Sequence, residues 1–282
     1  MDKKKVEVRY TYNTDYYKSM NTEELRNNFL VDSLFKPEEL NLIYTDVDRS
    51  IIGSAVPVNK ELSLSGSKKE TASEYFAERR EVGIINIGSK GLVNVDGILY
   101  ILENKDCLYI GKGAREIKFN SKDPADPSFF YIASYPAHKE FPVKLVCYSD
   151  AEKQSLGSIK NCNKRVINKY ILPGKVESCQ LVMGLTEIEN GSVWNTFPPH
   201  THQRRTEIYL YFDLKDDSMV FHFMGEENET RHIIVRDKQA VISPSFSIHS
   251  GVGTSNYSFI WGMGGENQVF DDMDSLNLEN IK

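Results

Sequence analysis

Three histidines and a glutamate in the last third of the chain have the spacing of a metal site. His200-Thr201-His202 is followed, after four residues, by Glu207, and about 40 residues later comes Pro244-Ser-Phe-Ser-Ile-His249. In a strand, residues two apart face the same side, so the H-x-H pair presents both imidazoles to one face. The gap to Glu207 breaks strict alternation, so a bulge or turn must return the carboxylate to the same place. His249 must then arrive from a neighbouring strand. Three neutral imidazoles and a carboxylate suit a divalent first-row metal. A lone H-x-H pair is more often an ordinary surface or core feature; the full set of two spacings is far more specific. His138, His222 and His232 lack such spacing, and an ordinary hydrogen-bonded histidine is the default for each.

Strands must position this set, because helix signals are sparse. Asn21-Thr22-Glu23-Glu24-Leu25 can cap a turn or two carrying Leu25, Phe29 and Leu30, and a second short turn is expected through Pro37-Glu38-Glu39-Leu40. Leu92-Val93-Asn94-Val95, Asp96-Gly97 and Ile98-Leu99-Tyr100-Ile101-Leu102 form a strong hairpin pattern, with Asp-Gly supplying the positive-φ pair of a two-residue turn. Further β-rich runs fall at 81–87, 107–110, 129–133, 143–147, 208–212, 220–224, 232–235, 240–242 and 257–261. Many short strands separated by Gly, Pro, Asn and Asp indicate a β-sandwich or barrel.

The chain also echoes itself. Glu78-Arg79-Arg80-Glu81 precedes one strand and Gln203-Arg204-Arg205-Thr206-Glu207 another, while Asp106-Cys-Leu-Tyr-Ile resembles Lys238-Gln-Ala-Val-Ile. The similar offsets point to a tandem of two related β domains, with chance likeness of short strands as the bland alternative. The expected division is an N-terminal arm (1–20), a first barrel (21–148), a polar connection (149–177) and a second, metal-binding barrel (178–282).

Bulk properties narrow the partners. At 282 residues the chain can bury a substantial core, and its 40% hydrophobic and 26% charged residues are ordinary for a soluble globular protein. A net charge of −6 argues against a nucleic-acid backbone as partner, although a few local cations still allow an anionic metabolite. No apolar stretch of roughly 7–15 residues follows the basic N-terminus, and no run of about 18 apolar residues occurs, so neither a signal peptide nor a membrane span is expected. Four scattered cysteines, with no C-x-x-C, read as reduced thiols in a cytoplasmic protein.

H-x-H-x4-E followed by P-x4-H resembles the two metal motifs of cupins, small jelly-roll barrels. The flanking glycines of that pattern are replaced here: Trp194 precedes the first motif, Leu214 follows it, and Phe246 stands between Pro244 and His249. Longer strings are more specific. Phe76-Ala-Glu-Arg-Arg-Glu-Val-Gly-Ile-Ile-Asn-Ile-Gly88, Ile167-Asn-Lys-Tyr170, Trp194-Asn-Thr196, Ala240-Val-Ile-Ser-Pro-Ser-Phe-Ser-Ile-His-Ser-Gly-Val-Gly253, Phe259-Ile-Trp-Gly-Met263 and Gly265-Glu-Asn-Gln-Val-Phe-Asp-Asp-Met-Asp274 look like the 5-keto-4-deoxyuronate isomerase family. The resemblance runs from about Arg26 to the C-terminus.

That resemblance implies a mainly β fold of tandem cupin barrels with a few short helices, assembled as a homo-hexamer. It implies one Zn2+ per subunit on His200, His202, Glu207 and His249, with Fe, Mn or Ni compatible with the same ligands, and a metal-free first barrel. The implied reaction converts 5-dehydro-4-deoxy-D-glucuronate to 3-deoxy-D-glycero-2,5-hexodiulosonate through an enediol, in breakdown of pectin-like uronates. Glu266 is the expected proton carrier, and Lys169 is a candidate for the substrate carboxylate. Tyr209, on Glu207's face of the strand, is a candidate substrate contact, with plain aromatic core as its alternative. Asp271, Asp272 and Asp274 read as a solvated or capping run rather than a second metal site. Competing functions are a broader hexuronate isomerase, an iron oxygenase on the same fold, and a non-catalytic sugar-binding cupin.

Overall fold

The computed structural model describes residues 6–282. Its strands in chain order are β1 (Glu7–Arg9), β2 (Leu30–Val31), β3 (Leu40–Thr45), β4 (Ile51–Ala55), β5 (Leu62–Ser63), β6 (Arg80–Asn86), β7 (Gly91–Val95), β8 (Ile98–Leu102), β9 (Cys107–Ile110), β10 (Ile117–Ser121), β11 (Phe130–Pro136) and β12 (Lys144–Val146). There follow β13 (Glu152–Leu156), β14 (Arg165–Ile171), β15 (Val182–Ile188), β16 (Trp194–Asn195), β17 (His200–Thr201), β18 (Arg205–Phe212), β19 (Val220–Glu226), β20 (Glu229–Val235), β21 (Gln239–Ser243), β22 (Ser250–Gly253), β23 (Ser258–Gly265) and β24 (Asp274–Ser275). Two α-helices, α1 (Thr14–Tyr17) and α2 (Thr22–Phe29), precede β2. The chain is mainly β, and no described helix is long and apolar enough to cross a membrane.

The strands form two compact units of one topology. In the first, a seven-stranded sheet in the order β1-β3-β4-β11-β6-β9-β12 accompanies a four-stranded sheet β5-β10-β7-β8. In the second the orders are β13-β14-β15-β23-β18-β21-β2 and β16-β22-β19-β20. Read in sequence, β3 through β11 of one unit and β14 through β23 of the other occupy the same places, apart from the additional short β17. Each is a jelly-roll barrel of two sheets. Both halves of the internal echo fall on equivalent strands: the Arg-Arg segments lead into β6 and β18, and the 106 and 238 segments into β9 and β21.

The units are not contiguous in sequence, which departs from the expected boundaries. Residues 10–32 belong to the second unit, because β2 pairs with β21 (Leu30 with Val241) rather than with any strand of the first barrel. The polar stretch after 149 is no mere connection: β13 pairs with β14 over Glu152–Leu156, extending the second unit's sheet. Residues 170–181 belong to the first unit. There the buried Glu81 carboxylate accepts from the backbone N–H groups of Cys179, Gln180 and Leu181 and from the Tyr109 hydroxyl.

Local signals behaved as their chemistry requires. Asn21 caps α2 in a full capping box with Glu24, and Leu25 and Phe29 are its buried residues. The Pro37-Glu38 segment forms a turn, not a helix. Val95 pairs with Ile98, and Asp96 and Gly97 both have positive φ (50° and 88°), the geometry a two-residue hairpin needs.

Candidate metal centre

The four expected residues come together. His Nε2 and carboxylate Oε2 atoms converge, and one ligand atom from each of His200, His202, Glu207 and His249 lies within 4.8 Å of every other. His202, Glu207 and His249 are buried, and His200 is partly buried. Glu207 Oε2 stands 3.1 Å from His202 Nε2 and 2.9 Å from His249 Nε2, and the Nε2 atoms of His200 and His249 are 3.1 Å apart. Donors sharing one ion at about 2.0–2.1 Å are separated by about 2.9–3.4 Å; these three separations match that, and the remaining pairs, within 4.8 Å, would draw together around a single first-row divalent cation.

Backbone geometry explains the convergence. A turn at Gln203-Arg204, closed by the Arg205 N–H on the His202 carbonyl at 3.0 Å, brings β18 back beside the H-x-H segment. It thereby solves the broken alternation seen in the sequence. Glu207 lies in the middle of its sheet, paired with Ser243 on one side and Met263 on the other. His249 arrives not from a neighbouring strand but from the loop just before β22, a strand of the opposite four-stranded sheet, so it reaches the site across the barrel. Where a cupin glycine would stand, Phe246 stacks on Tyr17 at 5.3 Å, so the departure is accommodated by helix α1.

Two of the rings are also held from behind. His202 Nδ1 lies 3.0 Å from the Arg205 carbonyl and His249 Nδ1 3.3 Å from the Ser247 carbonyl. A proton on each Nδ1 leaves Nε2 as the lone-pair donor a metal requires. Burial, and then repulsion from His249, push the His200 pKa down to about 3. Burial also works against the charged form of His202, but the hydrogen bond and charge of Glu207 outweigh it and raise that ring. For Glu207 burial raises the pKa, yet His249 and His202 together hold the carboxylate well below its ordinary range.

Beyond the four ligands, the barrel interior is polar and aromatic. Tyr209 is buried, its hydroxyl 2.9 Å from Thr196 Oγ1 and its ring 5.6 Å from that of His249. Tyr211 OH lies 2.8 Å from Nδ1 of the fully buried His222 and accepts from Asn195 at 3.4 Å. Thr196 and Asn195 carry no site signal of their own in the sequence, and His222 reads there as an ordinary histidine. Strand alternation signals Tyr211, and the rest depend on which strands meet across the barrel.

The remaining candidates are placed less directly. Lys169 is engaged: its Nζ bonds Glu152 at 3.2 Å and lies 4.3 Å from the Phe270 ring centre. Glu266 is exposed just past β23, with its N–H on the Arg204 carbonyl, and it is not in the four-residue cluster. Asp272 and Asp274 both bond Arg204, so this run is an ion-paired clasp, with Asp271 exposed beside it.

Comparison with known proteins agrees with this construction. A model described as the KduI/IolB family matches residues 30–281. A protein of Lachnoclostridium phytofermentans named 4-deoxy-L-threo-5-hexosulose-uronate ketol-isomerase is 56% identical, covering 98% of this chain and all of its own length. One of the same name from Lachnospira eligens is 51% identical, with 98% and 100% coverage. Among solved structures, an IolB-like protein from Salmonella typhimurium LT2 superposes with a TM-score of 0.70 at 12% identity, over 88% of this chain and 97% of its own, a likeness of fold alone.

Proposed function

The chain belongs to the KduI/IolB family, and we propose that His200, His202, Glu207 and His249 hold the divalent metal through which it works as a ketol-isomerase. It catalyses the conversion of 5-dehydro-4-deoxy-D-glucuronate to 3-deoxy-D-glycero-2,5-hexodiulosonate, an aldose–ketose isomerisation in uronate catabolism. The observation that carries the site is the convergence of three Nε2 atoms and one carboxylate oxygen in a buried cluster. Zn2+ is the ion we favour, one per subunit, and a cytoplasmic homo-hexamer is the assembly and location we favour.

The reaction passes through a 1,2-enediol: a proton leaves C2 and another reaches C1. A divalent cation held by His200, His202, Glu207 and His249 would supply Lewis acidity to the developing enediolate, an effect of several kcal/mol. The protein's own groups do the rest. Main-chain carbonyls at 205 and 247 fix the tautomers of His202 and His249. The Tyr209–Thr196 hydroxyl pair, beside His249, is placed to hold a substrate oxygen by hydrogen bonds. Lys169 serves the substrate carboxylate only by exchanging its Glu152 partner, and Glu266, exposed and outside the four-residue cluster, is not assigned the proton transfer.

The test is direct. Purified protein incubated with the unsaturated-uronate breakdown product is expected to consume the aldehyde, to lose this activity to a chelator and to regain it with Zn2+. Stoichiometric iron accompanied by oxygen uptake would favour an oxygenase. A metal-loaded protein that leaves the aldehyde unchanged would favour a sugar-binding module.

A further inference from the structure

His200 is held differently from the other three ligands. His202 and His249 each have the second ring nitrogen on a carbonyl, and Glu207 is fixed by strands on both sides. Among the described residues, the side-chain bond recorded for His200 is the one to His249 itself. Its backbone belongs to the two-residue β17, whose strand partner is β24: His200 pairs with Ser275 and Thr201 with Asp274.

β24 in turn depends on a pair of arginines. After β23 the chain leaves through Gly265, whose φ of +145° and approach to the Arg204 carbonyl would place any Cβ 2.3 Å from that oxygen. It then loops back across 266–273. Arg204 grips the returning chain through both carboxylates: Nε and Nη2 bond Asp272 at 3.1 and 2.7 Å, and Nη1 and Nη2 bond Asp274 at 2.9 and 3.0 Å. The buried Arg205 bonds the carbonyls of Val269 and Asp272 at 2.8 and 2.7 Å. Asn267 braces the loop from inside, donating to Asp272 and accepting from the Val269 N–H. Two-residue strand pairs do not persist unaided, because so few bonds cannot offset the ordering of two chain segments.

We infer that the Arg204–Asp272–Asp274 clasp is a positioning device for His200: it holds β24 against β17 and so sets the fourth ligand, while the other three form without it. This rests on the metal reading given above. The two arginines divide the labour. Arg205 anchors the loop to the barrel wall, and the half-exposed Arg204 fixes the segment that carries the His200 partner strand. A bidentate fork on two carboxylates is a geometry that lysine cannot reproduce.

The experiment uses the full chain with Co2+ as the probe. Arg204→Ala is expected to weaken cobalt binding by about 10–100-fold, the usual effect of losing a group that orients a ligand. Its d–d spectrum should then match that of His200→Ala. The melting midpoint of the metal-free protein should move by no more than about 2 °C, because the clasp is a surface ion pair. In a His200→Ala background the same substitution should change cobalt affinity less than about twofold, and Arg204→Lys should fall between wild type and Arg204→Ala. Unchanged affinity in Arg204→Ala, or an equal loss in the His200→Ala background, would overturn the inference. If the wild type takes up no cobalt, the metal reading fails instead. The clasp is then read in metal-free protein, where amide exchange at 200–201 must accelerate at least about tenfold in Arg204→Ala while 249–250 stays unchanged. Equal rates there would also overturn it.

Discussion

The two barrels share one strand order and differ in what fills them. Aligning the buried Arg80 and Arg205 at the heads of β6 and β18 sets Val82 against Glu207, Ile84 against Tyr209 and Asn86 against Tyr211. Inside the first barrel, Val82, Ile84, Val93, Leu108, Ile110, Ile117, Phe119, Phe130 and Ile132 form a continuous aliphatic and aromatic core. Inside the second, the corresponding space holds Glu207, Tyr209, Tyr211, His222 and His249. The arginines do related jobs in both. Arg80 bonds the carbonyls of Arg49 and Ser134, and Arg205 those of Val269 and Asp272. The difference teaches that the fold needs the arginine anchor and a filled interior, and that chemistry enters by exchanging alternate inward residues of one strand.

Exchanging the paired positions tests that reading most severely. Glu207→Val should abolish tight metal binding and lower turnover by at least ~10³-fold, since the Lewis acid contributes several kcal/mol. The metal-free variant should be less stable than the metal-free wild type, because His202 and His249 lose the buried carboxylate that they bond. Val82→Glu should destabilise the first barrel by about 3 kcal/mol or more by burying a carboxylate among aliphatic groups. Denaturant unfolding of both variants checks the pair; a stable Val82→Glu protein would break the comparison.

A packing deletion comes next in size. Ile132→Ala should cost about 2–4 kcal/mol of stability with kcat within about twofold of wild type at a temperature where the protein stays folded. A large kcat loss with retained metal would mean that the first barrel contributes to catalysis. Tyr209→Phe should keep the metal and lower kcat/KM by about tenfold, the value of one buried hydrogen bond to substrate.

The acid response should also separate the barrels. His200 and His222 are held to about 3 by burial, with repulsion from His249 next, whereas unfolded histidine titrates near 6.5. Between those values the unfolded chain binds more protons at these two positions, so metal-free stability falls as pH drops from about 6.5 toward 3. His202, raised by Glu207 against burial, works in the opposite sense. The first barrel's histidine, His138, is exposed. Amide exchange at pH 7 and pH 5 should therefore show β18, β19 and β21 losing protection before β6, β9 and β11. The smallest expected effect is at Glu266. Its exposure outside the cluster predicts less than about a tenfold loss in kcat for Glu266→Gln, whereas a general base would contribute roughly 10²–10⁴-fold.

Much of this was legible in the sequence, and the missing parts share a physical cause. The cluster of His200, His202, Glu207 and His249, the Asp96-Gly97 hairpin, the α2 cap and the tandem echo are local patterns with strong geometric requirements. Residues 10–32 and 152–156 joining the second unit could not be read that way, because β2 and β13 are short strands whose partners are set by the sheet edges they meet. The partners of Lys169, Glu152 on the paired strand and the Phe270 ring, are set by tertiary packing that no local pattern shows. Asp272 and Asp274 looked solvated because their partner, Arg204, lies about 70 residues earlier.

Metal content per chain, measured on wild type and Glu207→Val purified side by side, tests the central claim most directly. One divalent ion in the wild type and none in the variant, with turnover following the metal, is the expected result. A fully active wild type that carries no metal, or a variant that keeps both metal and turnover, would contradict it.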